Sequence, residues 1–125
     1  MKLEYIADGS IDCPLIRLYE FTETEAALLL ANVSELAQGT KLSISLSELS
    51  YITPVDSCEL IFILGEDDQG IADSDGLFMC VLTQESWKKV AGLIEPFCSS
   101  VETKAYKCLD ETGEVSLMLS PSGSW

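Results

Sequence analysis

Histidine is absent from this chain of 125 residues, and its absence removes several kinds of active site. Ser-His-Asp and Cys-His catalytic arrangements both need an imidazole as the general base, so neither can form here. Zinc sites that combine Cys with His are excluded for the same reason. Catalysis would have to rely on a carboxylate pair, a lysine of lowered pKa or an activated cysteine.

Cysteine is present, but not in a pattern typical of metal or disulfide sites. The chain has five cysteines, an odd number, and no two of them form a C-x-x-C pair. They are Cys13, Cys58, Cys80, Cys98 and Cys108. Cys58 and Cys80 border or lie within apolar segments, where a free thiol behaves as a small hydrophobic group. We therefore expect reduced thiols, a cytoplasmic location and no zinc.

Basic side chains are scarce. Seven Lys and Arg face 21 Asp and Glu, which gives a formal net charge of −14. A protein that binds nucleic acid gains affinity when Lys and Arg displace counterions, and anionic membranes attract the same side chains. Because Arg17 is the only arginine, we expect the chain to bind neither nucleic acid nor a membrane surface.

Long apolar runs and phosphate-binding motifs are also missing. The longest unbroken apolar runs, 26–31 and 77–82, have six residues each, whereas a membrane-spanning helix needs about 20. Glu4 lies where a signal peptide would need an apolar core. Neither G-x-x-x-x-G-K-[ST] nor G-x-G-x-x-G occurs. The sequence therefore predicts no membrane span and no signal peptide, and it disfavours an enzyme.

The hydrophobic periodicity predicts two helices and six or seven strands. The first helix, over 22–38, begins with a T-E-T-E capping box at Thr22 and ends at Gly39. The second helix begins at Thr83 and ends near Cys98. The predicted strands cover residues 3–6, 15–21, 42–47, 58–64, 77–82, 101–109 and 114–119.

The two helices coincide when the first is shifted by 61 residues, and the strand before each helix follows the same shift. This predicts a tandem repeat of hairpin, helix and strand with halves 1–47 and 58–119; the alternative is that any two amphipathic helices align at some offset. We predict one α+β domain over 1–119, with two layers: a mainly antiparallel sheet of six or seven strands and both helices on one face. Residues 120–125 are expected to form a flexible tail.

The strand segments 58–64 and 77–82 are apolar at almost every position, which implies that both of their faces are covered. Two helices on one side of a sheet would cover one face and leave the other open. Exposed apolar patches of that size usually mark an interface. We therefore expect a homodimer that forms through the open face of the sheet.

Acidic side chains are concentrated in the middle of the chain. Residues 42–87 contain no Lys or Arg, and they carry nine carboxylates: Glu48, Asp56, Glu59, Glu66, Asp67, Asp68, Asp73, Asp75 and Glu85. One interpretation is a solvated surface that keeps the protein soluble. The other is a surface that binds a basic protein partner.

The loop predicted over 65–76 holds the strongest candidate for a ligand site. Its candidate metal ligands are Asp67, Asp68, Asp73 and Asp75. Carboxylates on a tight turn can converge on a hard cation such as Ca²⁺ or Mg²⁺. An EF-hand is excluded, because Ile71 and Leu82 would occupy the positions that need Asp and Glu. The other interpretation is an ordinary solvated hairpin loop.

Two further side chains are candidates for contact with a ligand or partner. Arg17 lies within a predicted strand, on the same face as Tyr19, so it either pairs with a carboxylate or points into a pocket. Trp125 follows a Gly and Ser spacer at the end of the sequence, where it either docks into a partner or belongs to a disordered tail.

These patterns do not define one activity. We expect a small acidic, non-catalytic module for protein–protein interaction that is homodimeric and needs no cofactor. The alternative is a protein that binds a small ligand or a divalent cation at the 65–76 loop and uses it in catalysis.

Overall fold

The computed structural model describes residues 1–7, 14–99 and 106–123. Within them, the helices are α1 (Glu23–Ala37) and α2 (Gln84–Ile94). The strands are β1 (Lys2–Ile6), β2 (Leu15–Tyr19), β3 (Ser43–Ser45), β4 (Thr53–Pro54), β5 (Glu59–Leu64), β6 (Gly70–Ser74), β7 (Leu77–Leu82), β8 (Lys107–Asp110) and β9 (Ser116–Ser120). Short 3₁₀ turns cover Leu46–Glu48, Val55–Ser57 and Glu95–Cys98.

The strands form two mixed sheets. Sheet A has the order β4-β1-β2-β9-β8, and sheet B has the order β3-β5-β7-β6. In each sheet a central pair is parallel, β2 with β9 and β5 with β7, while the hairpin pairs are antiparallel. The predicted α+β class is confirmed, but the single, mainly antiparallel sheet is wrong.

The segment between β5 and β7 explains this error. We expected 58–64 and 77–82 to form a hairpin around a loop, but residues 70–74 of that loop form β6. The chain therefore reverses twice between β5 and β7, so these two strands run parallel. β6 is the antiparallel neighbour of β7.

The predicted repeat is wrong for a related reason. The hairpin that precedes α2 is formed by β6 and β7, so the second copy does not begin with the segment at 58–64. Each sheet also combines strands from both halves of the chain, because β2 pairs with β9 and β3 pairs with β5. The halves 1–47 and 58–119 are interleaved and do not form separate units.

Local signals at the first helix are confirmed. The Glu25 backbone N–H donates to Thr22 Oγ1 at 3.2 Å, and the Thr22 N–H donates to the Glu25 carboxylate at 3.0 Å, which completes the capping box. Beyond the helix, Gly39 has a φ of +77° and accepts the left-handed conformation at little cost. α1 thus begins and ends where its sequence predicts.

One hydrophobic cluster joins both helices to both sheets. Trp87 of α2 packs against Phe62 of β5 with ring centroids 4.7 Å apart, and its indole N–H donates to the Ile63 carbonyl at 3.1 Å. The two helices pack against each other, and Phe21 meets Phe97 edge to face at their ends. Within the described ranges, neither helix has the length and apolar character needed to span a membrane.

The end of the described chain folds back on sheet A. The Glu20 N–H donates to the Pro121 carbonyl at 3.0 Å, and both Pro121 and Gly123 are buried. Ser124 and Trp125 lie outside the described residues. The predicted flexibility of residues 120–125 is a statement about motion, and it stays a prediction.

Candidate functional site

Asp68, one of the four candidate metal ligands, lies at the start of α2. Its carboxylate accepts hydrogen bonds from the Thr83 N–H at 2.8 Å, from the Thr83 hydroxyl at 3.0 Å and from the Ser86 hydroxyl at 2.8 Å. The Thr83 backbone bond and the Ser86 bond hold the pKa of this carboxyl below its usual value. Asp68 therefore completes the cap of a helix.

Asp73 lies in β6, and Asp75 lies in the turn that joins β6 to β7. The Asp73 carboxylate accepts from the Gly76 N–H at 3.0 Å. Asp75 and Gly76 have φ values of +53° and +86°, and Ser74 pairs with Leu77 around them. This is the geometry of a two-residue turn in which both central residues are left-handed, a conformation that Asp-Gly favours.

The structure does not bring the four candidate carboxylates together. Asp67 and Asp68 precede β6, whereas Asp73 lies near its other end and Asp75 follows it. A strand of that length spans roughly 13 Å. Among the residues described, no group of three or more Cys, Asp or Glu side chains is arranged to hold a metal ion. Binding of Ca²⁺ or Mg²⁺ stays a prediction that this arrangement does not support.

Arg17 forms an ion pair with Glu4 on the neighbouring strand. Its Nε and Nη2 atoms lie 2.8 and 2.6 Å from Glu4 Oε1, and Nη1 donates to the Gly123 carbonyl at 2.7 Å. The guanidinium also lies over the Tyr19 ring, 3.9 Å from its centroid. These contacts match the carboxylate alternative for Arg17. The other partner candidate, Trp125, lies outside the described residues.

The outer face of sheet B carries an apolar stripe. Its residues are Ile61, Ile63, Leu77, Met79 and Val81, all of them half-buried. The alternate residues Phe62 and Cys80 point to the core and are fully buried. Ile61 pairs with Met79 and Ile63 pairs with Val81 across the two parallel central strands, so the stripe is continuous. We call these five residues the outer face of sheet B.

Acidic side chains lie at both ends of the outer face of sheet B. Exposed Glu59 shares the face at one end and pairs with Leu77. Exposed Glu66 and Asp67 follow β5 at the other end. All four strands of the sheet lie in the segment that lacks Lys and Arg. An apolar surface with acidic residues at both ends is suited to a partner with basic residues.

A pocket of about 260 Å³ lies at one end of sheet B, where the Val55–Ser57 turn connects sheet A to sheet B. It is lined by Tyr5, Val55, Asp56, Ser57, Cys58, Gly76 and Phe78. The rings of Tyr5 and Phe78 contact each other with centroids 4.7 Å apart. We call this cavity the Tyr5 pocket. No basic side chain belongs to its lining.

A second depression adjoins the Tyr5 pocket and shares Ser57 and Cys58 with it. Its volume is about 300 Å³, and its other lining residues are Ser45, Ser47, Glu48, Pro54 and Glu59. Hydroxyl and carboxylate groups dominate this lining. Asp56 and Ser57, which line the connecting turn, have φ values of +53° and +59°. Such conformations cost about 1–2 kcal/mol per non-glycine residue.

Cys58 lies in the shared wall of the two cavities, but its thiol is not poised to react. It is 7% exposed, and burial together with the charge of Glu4 raises its pKa to about 11. A thiol with that pKa is protonated at neutral pH and is a weak nucleophile and metal ligand. The described cysteines, Cys58, Cys80, Cys98 and Cys108, are all free.

Sequence reasoning found the apolar stripe but missed the Tyr5 pocket. The stripe could be predicted because the segments 58–64 and 77–82 are apolar at almost every position, and therefore on both faces of a strand. The pocket depends on Tyr5 and Phe78, which lie far apart in the sequence and are brought together by the packing of β1 near β7. No local pattern signals that contact. Comparisons of this chain with protein-family models, with curated proteins and with solved structures find no match.

Proposed function

We propose that this protein is a non-catalytic protein-binding module whose binding surface is the outer face of sheet B. The observation that carries the proposal is the continuous, half-exposed stripe across β5 and β7. Apolar patches of this kind, bordered by charged residues, are typical of protein–protein interfaces.

We further propose that the partner has basic side chains around an apolar surface. The border residues Glu59, Glu66 and Asp67 are all acidic, and sheet B offers no Lys or Arg to oppose them. Two copies joined through this face would place acidic borders against each other, and like charges across an interface cost free energy. A basic partner gains attraction at the same positions. Charge therefore favours a different protein over the homodimer expected from the sequence.

The test uses a synthetic amphipathic helix of Leu and Lys as a probe, with a Leu and Glu helix as its counterpart. Binding is followed by ¹H–¹⁵N NMR on the full chain. We expect the basic helix to shift the amides of β5 and β7 around the outer face. The dissociation constant should rise with NaCl, because salt screens the attraction. The acidic helix should leave these amides unchanged.

Two matched variants separate the surface from bulk charge. Ile63→Lys places a positive charge in the stripe, and Leu28→Lys places the same charge on α1, where Leu28 is 43% exposed. Both change the net charge equally, so only the position differs. We expect Ile63→Lys to weaken binding about tenfold, equivalent to roughly 1.4 kcal/mol, and Leu28→Lys to leave it near the wild-type value.

Three results would overturn the proposal: shifts confined to other surfaces, equal binding by the acidic helix, or an Ile63→Lys variant that binds like the wild type. Light scattering measures whether the chain forms a homodimer. A dimer that strengthens with NaCl and dissociates in Ile63→Lys would replace the basic partner with a second copy of the chain.

A further inference from the structure

The Tyr5 pocket combines an aromatic wall with a carboxylate. Tyr5 is 38% exposed and lies against Phe78, which is 5% exposed, so one ring is accessible and the other supports it. Exposed Asp56 lines the same cavity. An aromatic ring attracts a cation to its face, and a nearby carboxylate adds charge attraction to that preference.

The size of the pocket limits its occupant. Pockets for small molecules usually measure roughly 300–1,000 Å³, whereas this cavity measures about 260 Å³. It is therefore suited to a group the size of one side chain. The flat guanidinium of arginine can stack on an aromatic ring while its N–H groups face a carboxylate.

The electrostatic surroundings of the pocket are consistent with a positive occupant. No Lys or Arg lines it. The charges of Glu4 and Glu59 both act on the thiol of Cys58, which lies in its wall. Glu4 is paired with Arg17, so Glu59 and Asp56 are the carboxylates that give this region its negative charge.

We infer that the Tyr5 pocket binds a guanidinium group, held between the Tyr5 ring and the Asp56 carboxylate. The inference rests on the proposed function where it assigns this guanidinium to an arginine of the basic partner. Gly76 and Phe78 of the pocket flank Leu77, and Cys58 precedes Glu59, so the pocket lies just beyond the Glu59–Leu77 end of the outer face. A partner on that face could place an arginine there.

Ethylguanidinium chloride is the probe, and neutral ethylurea is its shape-matched control. Each is titrated at millimolar concentration into the full chain at constant ionic strength, and amide and tyrosine ring signals are followed by NMR. We expect ethylguanidinium to produce saturable shifts at Tyr5, Val55, Ser57 and Gly76. Ethylurea has a similar shape but no charge, so it should not saturate at these residues.

Two pairs of variants test the carboxylate and the ring separately. Asp56→Asn and Asp75→Asn both replace an aspartate in a left-handed conformation, which Asn tolerates, and only Asp56 lines the pocket. Tyr5→Phe keeps an aromatic face, whereas Tyr5→Leu removes it. We expect Asp56→Asn and Tyr5→Leu to weaken binding roughly threefold to fivefold, and the other two variants to bind like the wild type.

The inference is overturned if ethylurea binds as well as ethylguanidinium, if Asp56→Asn has no effect, or if the shifts map to Ser47 and Glu48 in the adjoining depression. The small probe does not need the outer face of sheet B. If ethylguanidinium does not bind but the Leu and Lys helix does, the inference about the Tyr5 pocket is wrong and the proposed function stands. If ethylguanidinium binds but the helix does not, the pocket binds a guanidinium group and the proposed basic partner is wrong.

Discussion

Gly70 and Gly113 allow two backbone segments to meet where the sheets adjoin. Gly70 begins β6 with a φ of +72°, and a Cβ atom at this position would meet the backbone of Gly113. A Cβ atom on Gly113 would lie 2.5 Å from the Ile71 carbonyl oxygen. Directly beside this contact, Ile71 of sheet B forms a bridge with Val115, just before β9 of sheet A. The glycines therefore set how closely the two sheets approach.

Substitution of Gly70 by Ala should destabilise the protein strongly. The left-handed conformation costs about 1–2 kcal/mol for a residue with a Cβ atom, and forcing the segments apart adds about 1–3 kcal/mol. We expect Gly70→Ala to lower the free energy of unfolding by about 2–5 kcal/mol in urea titrations. Gly92→Ala should raise it by about 0.5 kcal/mol, because Gly92 lies in α2 with open space around its Cβ position.

Gly76→Ala is the control that separates conformation from contact. Gly76 has a φ of +86°, but no atom lies within 4 Å of its Cβ position. Only the conformational cost applies there. If Gly70→Ala and Gly76→Ala lose equal stability, the contact between Gly70 and Gly113 contributes nothing and the explanation is wrong.

Residue roles could be predicted where the partner is close in the sequence. Thr22 and Glu25 lie three positions apart, and their reciprocal hydrogen bonds follow from that spacing. Asp68 caps a helix that begins 16 residues later, and no spacing rule connects it to Ser86. Its sequence neighbourhood indicated a cation ligand, because carboxylates next to Gly and Ser are typical of both loops and metal sites.

At the scale of elements, the start of α2 depends on a side chain outside the helix. Thr83 accepts a hydrogen bond from the Ser86 N–H at 3.3 Å, and its own hydroxyl donates to Asp68. The Asp68 carboxylate also lies near the positive end of the helix dipole, which stabilises it further. The loop after β5 is thereby fixed to the first turn of the helix.

Asp68→Asn should therefore weaken this helix start in a manner that depends on pH. The folded protein holds the pKa of Asp68 below its usual value, whereas the unfolded chain has a value of about 3.9. A lowered pKa stabilises the fold above the unfolded value, and this contribution is lost as pH falls through the folded one. We expect Asp68→Asn to lower Tm by roughly 2–5 °C at pH 7 and to match the wild type near pH 2.

Calorimetric scans from pH 7 to pH 2 would measure this difference, with Asp67→Asn as the control. Asp67 is the exposed neighbour of Asp68, and its substitution removes the same charge from the same loop. If both variants show the same loss at every pH, general charge explains the effect and the cap does not.

Elements could be predicted from periodicity, but their pairing could not. Both helices show apolar residues at spacings of three and four, and both form where expected. β6 has the sequence G-I-A-D-S, which lacks the β-branched alternation of a strand, so its polar residues were read as a loop. Pairing with β7 makes it a strand. Because β6 was missed, both the sheet order and the repeat were mispredicted.

At the scale of the whole molecule, the outer face of sheet B could be predicted from the sequence, whereas the Tyr5 pocket could not. The apolar stripe on sheet B follows from the residue order of β5 and β7, because both strands are apolar on the face that includes Ile63 and Val81 as well as on the core face. The Tyr5 pocket needs the approach of sheet A to sheet B, which only the tertiary structure provides. Local patterns therefore indicated the surface, and long-range packing determined the pocket beside it.

The net charge of −14 should make the folded molecule more stable as salt is added. Folding brings 21 carboxylates into a compact volume with only seven Lys and Arg to offset them. The screening length falls from about 30 Å at 0.01 M salt to about 10 Å at 0.1 M, so repulsion between distant carboxylates decreases most. We expect Tm to rise by about 2–5 °C between these concentrations of NaCl, equivalent to roughly 1 kcal/mol for a domain of this size.

A variant with less charge provides the internal control for this salt effect. Glu66→Gln together with Asp67→Asn removes two exposed carboxylates from one loop, so its Tm should rise less steeply with NaCl than that of the wild type. Attractive surface pairs act in the opposite direction, because salt weakens them; Lys2 with Glu20 at 2.7 Å and Lys41 with Glu35 at 3.2 Å are exposed examples. Such pairs contribute about 0–1 kcal/mol each. A Tm that falls as salt increases would show that these attractions outweigh the repulsion. The argument that excess negative charge favours a basic partner would then be wrong.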